Sequence, residues 1–340
     1  MTEEFTASQL NEFASNIKLS KEKEHVYTLM RKAAEAAKYS ICVNPISDKF
    51  AKILKDNGFY VNTCPLKETT ISWKYIKEVI KEFTEGEDIK LSDPEKDYTL
   101  EGKLPAEQKV AVEGHAVALS NTELTGSVAT LKAGTTVNIL GGKIAGTYDR
   151  AKVGNAILKT DANDSIVIKD MIITPDKAYN CLEVSLSGNA PKNVLIENVR
   201  FDGHFTNNAI SVFATKEDAV VTIRNCHFAD VSNVLRLSNK TNAKCTFNIE
   251  NCTVDKWETR DEYRGLVICQ DYTSMGKENL FKKVTINITN VTGPNGKIVA
   301  KPMEEICGTK DENQLVYVYI DGHDSSEPYN EAIYPTINIK

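Results

Sequence analysis

The chain has 340 residues, with 41 Lys and Arg against 47 Asp and Glu, for a net charge of −6. That balance argues against a nucleic-acid-binding surface, and no apolar run approaches the eighteen or so residues that a membrane-spanning helix needs. The acidic opening, Met1-Thr-Glu-Glu-Phe-Thr6, holds no hydrophobic segment, so no signal peptide is expected and the chain is read as made in a cytoplasm.

Residues 1–86 carry no repeat. Ser20 opens a helix to about Lys38, with Val26, Leu29, Met30, Ala33 and Ala37 on one stripe. Tyr39–Val43 reads as a strand. Ser47 caps a second helix whose apolar positions are Phe50, Ile53 and Leu54, ended by Asn57-Gly58. Strands come next at Phe59–Val61 and Thr69–Trp73, then a third helix from about Lys74 to Phe83 with Ile76, Val79 and Ile80 inward. Together these make a small α+β module over 1–86. Residues 87–108, charged and punctuated by Pro and Gly, read as a linker and cap, with Leu104–Leu119 covering the end of the repetitive region.

Residues 109–340 are repetitive. Val194-Leu-Ile-Glu-Asn198, Val221-Thr-Ile-Arg-Asn225, Phe247-Asn-Ile-Glu-Asn251 and Ile286-Asn-Ile-Thr-Asn290 share one pattern, with weaker copies at Val137–Gly141 and Ile166–Asp170. Counted at the fifth position, the steps are 29, 28, 27, 26 and 39 residues, a period that means a solenoid. A second short apolar piece comes after each copy (Val199-Arg-Phe201, Cys226-His-Phe228, Cys252-Thr-Val254). After an irregular loop comes a third, such as Cys181–Leu186, Ala209–Phe213, Val234–Leu237, Leu266–Cys269 and Lys297–Ala300. Three strands per repeat without helical periodicity suits a parallel β-helix.

Stacking such coils turns equivalent positions into ladders. Asp170, Asn198, Asn225, Asn251 and Asn290 fall at a tight bend, where Asn tolerates left-handed backbone and bonds to its neighbours. Lys169, Glu197, Arg224 and Glu250 alternate in charge on the outer face. The eight cysteines contain no C-x-x-C pair. Cys226 and Cys252 share one core file, and all are read as reduced, buried hydrophobes; no metal and no cofactor is expected.

On the V-x-I-x-N…F repeat, roughly residues 105–340 resemble the right-handed parallel β-helices of the pectin-lyase-like superfamily. That family holds polysaccharide lyases and hydrolases, tailspikes of tailed phages, and non-catalytic structural pieces. The resemblance implies a mainly β chain, a C-terminal right-handed parallel β-helix after a small N-terminal α+β module. The front module is similar to one that recurs in tailed-bacteriophage proteins, through Lys38-Tyr-Ser-Ile41, Ile46-Ser-Asp48, Asn57-Gly-Phe-Tyr-Val61 and Thr70-Ile-Ser-Trp73. Because it precedes a projecting element, as N-terminal particle-binding modules of phage fibres do, it is read as an anchoring or assembly module.

Catalysis on such a stack needs carboxylates converging on an open face. Asp202, Asp230 and Asp255 recur four or five places after the ladder Asn, with His204 and His227 nearby. The competing reading makes them turn residues engaged by backbone amides or by Arg200 and Lys256. The polygalacturonase-like N-T-D, D-D, G-H-G and R-I-K set is missing. Asp202-Gly-His204 and Asp321-Gly-His323-Asp324 match it only in fragments, and the pectate-lyase pairing of D-H with R-x-P-x-x-R is absent too. Surface recognition falls on the insertion after Asn251, at Trp257, Arg260, Tyr263, Arg264 and Tyr272. The reading is a non-enzymatic structural component of a phage particle. It would be located in the virion, homo-oligomeric, and bound to other virion proteins through residues 1–86, with no nucleic-acid and no membrane partner. The alternatives are a virion polysaccharide depolymerase and a non-catalytic module adhering to a host surface glycan or receptor.

Overall fold

The computed structural model describes all residues except 1–6, 36–39, 45, 57–58, 63–68, 73–75, 85–86, 105–108, 126–128, 146–154, 176–177, 185–188, 258–264, 271–280, 307–317 and 321–333. The chain is mainly β, with few helices and one large sheet of many parallel strands. It divides into two compact units, residues 1–78 with 95–97, and residues 79–94 with 98–340.

In the first unit the leading helix, Ala7–Glu35, starts well before the expected Ser20, and a second helix spans Asp48–Asp56. Ser47 caps the second as expected. Its hydroxyl oxygen accepts from the Phe50 amide at 3.3 Å, and its own N–H and hydroxyl are held by the Glu22 carboxylate. Strand Thr69–Ser72 pairs antiparallel with Ser40–Val43 on one side and Tyr60–Asn62 on the other. Val26, Met30, Val43, Phe50, Leu54 and Val61 close the core of this unit. The expected terminators Asn57-Gly58 and the side chain of Trp73 lie outside the described residues. The helix expected over 74–83 is instead a strand, Ile76–Ile80. Ile76, Val79 and Ile80 satisfy a helical stripe, but all three are β-branched and pack better on a pleated surface.

In the second unit, strands pair in parallel along three rows. Row one holds the V-x-I strands: Ala116–Leu124, Thr136–Ile144, Ser165–Lys169, Asn193–Glu197, Ala219–Arg224, Cys245–Glu250, Val284–Thr289 and Thr336–Ile339, each in register with the next. Row two runs Ile172–Ile173, Arg200–Phe205, His227–Val231 and Thr253–Trp257. Row three runs Ile89–Ser92, Val110–Gly114, Ala129–Ala133, Ala156–Ala162 and Asn180–Val184. It continues through Asn208–Val212, Asn233–Leu237, Gly265–Cys269 and Val318–Ile320. Row-one strands alternate buried and outward residues, so Val221, Ile223, Phe247, Ile249, Ile286 and Ile288 are nearly inaccessible and form one continuous core.

The bend after row one is where the backbone is most constrained. Asp170, Asn198, Asn225, Asn251 and Asn290 hold φ of 56°, 55°, 54°, 52° and 52°, the left-handed region that Asn tolerates. Upstream, Gly141 (φ 71°) and Asn121 (φ 48°) take the same place, and Gly102 (φ 106°) also has positive φ. The stretch read as a linker therefore holds strands Ile89–Ser92 and Lys96–Leu104, and Val110–Gly114 is paired on both sides instead of covering an end. One expected third strand also fails. Gly296–Lys297 turns back antiparallel on Thr292–Gly293, because Pro294-Asn295-Gly296 makes a tight reversal; row three continues instead at Val318. No helix among the described residues is long and apolar enough to cross a membrane.

Candidate functional site

The three carboxylates and both histidines do meet, on the outer face of row two. Strand Arg200–Val212 pairs with His227–Leu237, but between Phe201 and His204 it carries one extra residue, a bulge formed by Asp202-Gly203. Gly203 is required there, since a Cβ would stand 2.4 Å from the Pro175 carbonyl oxygen. Asp202 and Asp230 are therefore not residues at which a strand ends, as the turn reading held. They lie within strands that run on into row three, and the bulge re-aims them.

The bulge sets the register so that His204, Asp230 and Lys256 stack in one column across three strands. Asp230 Oδ2 lies 2.9 Å from His204 Nδ1 and 2.8 Å from Lys256 Nζ. Its Oδ1 is buried without a hydrogen-bond partner among the described residues. Beside this column, His227 bridges diagonally, with Nδ1 3.2 Å from Asp202 Oδ1 and Nε2 2.8 Å from Asp255 Oδ2. Arg200 Nη2 completes the group at 3.0 Å from Asp202 Oδ2. Partial burial opposes ionisation of Asp230, but hydrogen bonds from Lys256 and His204 outweigh it and hold its pKa below the usual carboxylate range. Basic partners thus stand against Asp202 and Asp230, as the structural reading of those residues requires. Among the described residues, no group of three or more His, Cys, Asp and Glu is placed to hold a metal ion.

The insertion residues fare differently. Trp257 ends a row-two strand with only 8% of its surface exposed and belongs to the core, where its indole packs beside Gly293. It is a packing residue and not part of a recognition surface, since so large an apolar area rewards burial. Arg260, Tyr263, Arg264 and Tyr272 lie outside the described residues, as do Asp321, His323 and Asp324.

Row three holds a second polar group that sequence reading missed. Lys159, Glu183, Ser211 and Arg236 are in register on four successive strands, and the last three are 3%, 1% and 6% exposed. Beside them Asn180, Asn208 and Asn233 form a buried ladder: Asn208 donates to Asn180 Oδ1 at 3.2 Å and Asn233 to Asn208 Oδ1 at 3.1 Å. Asn180 also donates to Glu183. Burial raises the Glu183 pKa despite that bond and the nearby Lys159, Arg236 and Lys240. The Arg236 guanidinium and Lys240 ammonium both lie over the Phe213 ring, at 4.9 and 4.7 Å. A recurring signal for this row was present, in Asn180-Cys-Leu-Glu-Val184, Asn208-Ala-Ile-Ser-Val212 and Asn233-Val-Leu-Arg-Leu237.

Compared with known proteins, the chain matches no family model, no curated protein and no solved structure.

Proposed function

We propose that this chain is a non-enzymatic structural component of a tailed-bacteriophage particle, in which a right-handed parallel β-helix projects as a decoration, fibre or spike element. Residues 1–86 anchor it to other virion proteins, and it assembles as a homo-oligomer. The fold part of the reading is supported by three parallel rows in register and by left-handed residues at one bend of turn after turn. Parallel crossovers are right-handed in nearly all proteins, which supports the hand. The phage part rests on the resemblance of the front module alone.

The observation that carries the non-enzymatic reading is the pairing of all three candidate acids with cations or imidazoles. A glycosidase needs one carboxyl free to donate a proton and another to attack or activate water across an open groove. Asp230 is instead clamped from both sides. Mass spectrometry of purified particles is expected to detect the chain, and its absence from them overturns the assignment. Deleting residues 1–86 is expected to abolish incorporation while the remaining chain keeps its β signal, and a truncated chain that still incorporates removes the anchor role. Incubation with capsule-like polymers is expected to release no reducing ends or unsaturated products. Turnover lost in a folded Asp230→Asn variant would favour the depolymerase reading.

A further inference from the structure

We infer that the outer face of row one is where two copies of this chain meet, packed face to face about a two-fold axis that runs along the stack. The inference rests on the homo-oligomer reading above and names the surface. Two positions of the row-one repeat point outward on each of eight strands in register, from Ala116 and Ala118 to Thr336 and Asn338. None of these residues is charged, although 26% of the chain is, so that about four charges would be expected among them. Outward positions on the other rows do carry charge, at Lys143 and Arg200 on row two and at Lys159 and Glu183 on row three. The strip is partly apolar, with Val167 and Leu195 half-buried and Val220 exposed. Its amides bond to one another: Asn338 donates to Asn287 at 2.9 Å, Asn287 to Asn248 at 2.8 Å and Asn248 to Thr222 at 3.4 Å. Groups already paired lose fewer bonds to water when the face is covered. Strands stacked about 4.8 Å apart make the strip roughly 34 Å long and 17 Å wide. Two such faces remove about 1,000 Å² from water, the size of a small specific interface.

Charge selects the occupant and its orientation. One rim of the strip is the column Lys169, Glu197, Arg224 and Glu250, in register on successive strands. The other is the corner that leads into row one, where the same four coils bring Asp164, Lys192, Asp218 and Lys244 side by side. Signs alternate along both rims, and in every coil the two rims are opposite in sign. They stand five or six residues apart, about 16–20 Å, too far to pair within one copy. A two-fold along the stack reverses the face from side to side but keeps each coil opposite its own equivalent. Lys169 then meets Asp164 of the second copy, Glu197 meets Lys192, Arg224 meets Asp218 and Glu250 meets Lys244. Within one copy, Lys216 lies 3.4 Å from Asp164 and Lys244 lies 3.3 Å from Asp218, contacts between exposed side chains that leave both carboxylates open to a second cation. Lys216 and Glu217 offset each other at the Asp218 corner, and Lys282 and Lys283 of the next coil face the uncharged Thr289. A two-fold across the stack also opposes unlike charges, but it sets Val167 and Leu195 against Asn248 and Thr222. The axis along the stack sets each residue of that column against itself, so apolar meets apolar and amide meets amide. It also leaves the first strands of both copies at one end, as joint anchoring through residues 1–86 requires.

Sedimentation of the full chain at about 50 μM is expected to give the mass of two copies. Val167→Lys with Leu195→Lys places like charges against each other at the axis. This variant is expected to sediment as one copy, with its β signal and melting temperature near wild type. Ala118→Cys tests the orientation. A short bis-maleimide is expected to join it to its own equivalent, because facing sheets stand about 10 Å apart, whereas the reversed pair would hold these positions about 34 Å apart. Peptide mapping separates that link from any through Cys42. A mass of one or three copies, a two-copy mass unchanged in the lysine variant, or no link through position 118 overturns the inference. Assembly that survives the lysine changes removes this face and leaves the homo-oligomer reading standing, whereas a single copy at every concentration removes both. If the lysine variant does not fold, the link through position 118 decides.

Discussion

Asn251 both receives and donates along the bend: Asn290 Nδ2 reaches its Oδ1 at 3.0 Å, and its own Nδ2 reaches Asn225 Oδ1 at 3.3 Å. Each of these residues also holds a left-handed backbone. Two separate demands therefore fall on one position, and two substitutions separate them. Asn251→Gly keeps the backbone free and loses the bonds, for about 1 kcal/mol. Asn251→Leu loses the bonds and adds about 1–2 kcal/mol of left-handed strain, so about 2–3 kcal/mol in all. Chemical denaturation of both variants checks the order; equal losses would leave the backbone argument without support.

Phe201 and Phe228 stack across adjacent row-two strands with centroids 4.7 Å apart and ring planes 11° apart, and both are fully buried. Phe228→Ala is expected to cost about 3–5 kcal/mol, because the parallel strands on either side cannot collapse into the space without breaking register. Urea unfolding measures it, and a loss under about 1 kcal/mol would mean that the stack relaxes freely.

Row one was legible because two signals coincide in it: strict alternation toward the core, and an Asn or Asp where the bend forces positive φ. The earliest turns escaped notice for physical reasons. Tyr98-Thr-Leu-Glu-Gly102 and Val117-Ala-Leu-Ser-Asn121 obey the same rule, but Gly102 to Asn121 is 19 residues and Asn121 to Gly141 is 20, shorter than the period downstream. Glycine meets the backbone demand at Gly102 and Gly141 without leaving the side-chain signature of the ladder. The buried polar ladder of row three was hidden for another reason. Alternation assigns every second residue to solvent, whereas Glu183, Ser211 and Arg236 are buried on the face expected to be wet. The recurrence of Asp202, Asp230 and Asp255 with His204 and His227 could be read from spacing, but their arrangement depends on the bulge at Asp202-Gly203, and no local pattern announces a bulge.

Glu183 should make the chain less stable as pH rises. Burial raises its folded pKa, so the unfolded chain releases this proton first, and stability is lost from the unfolded value upward until the folded one is passed. Glu183→Gln removes the titration. Its melting temperature is expected to exceed wild type at about pH 8 and to match it at about pH 3, where the carboxyl is protonated in both states. The opposite order at the higher pH would mean that Lys159, Arg236 and Lys240 outweigh burial.

The described cysteines should differ widely in reactivity, because the thiolate is the reacting species and burial suppresses it. Cys42 is exposed, whereas Cys181, Cys226, Cys245, Cys252 and Cys269 are buried, and all six are thiols outside any disulfide. Burial pushes the Cys245 thiol up to about 11 and raises Cys181 further still. Cys226 and Cys252 come directly after equivalent bends on adjacent strands, so their side chains point the same way, a poor start for the near-perpendicular torsion of a disulfide. Native labelling with iodoacetamide, then peptide mapping, is expected to modify Cys42 at least about tenfold faster than Cys181 or Cys245. Denatured, unreduced protein is expected to carry no mass deficit from a Cys226–Cys252 bridge. Labelling of Cys181 as fast as Cys42 would mean that row three opens readily around Cys181 in the native state, against the near-complete burial of the Asn180–Val184 side chains.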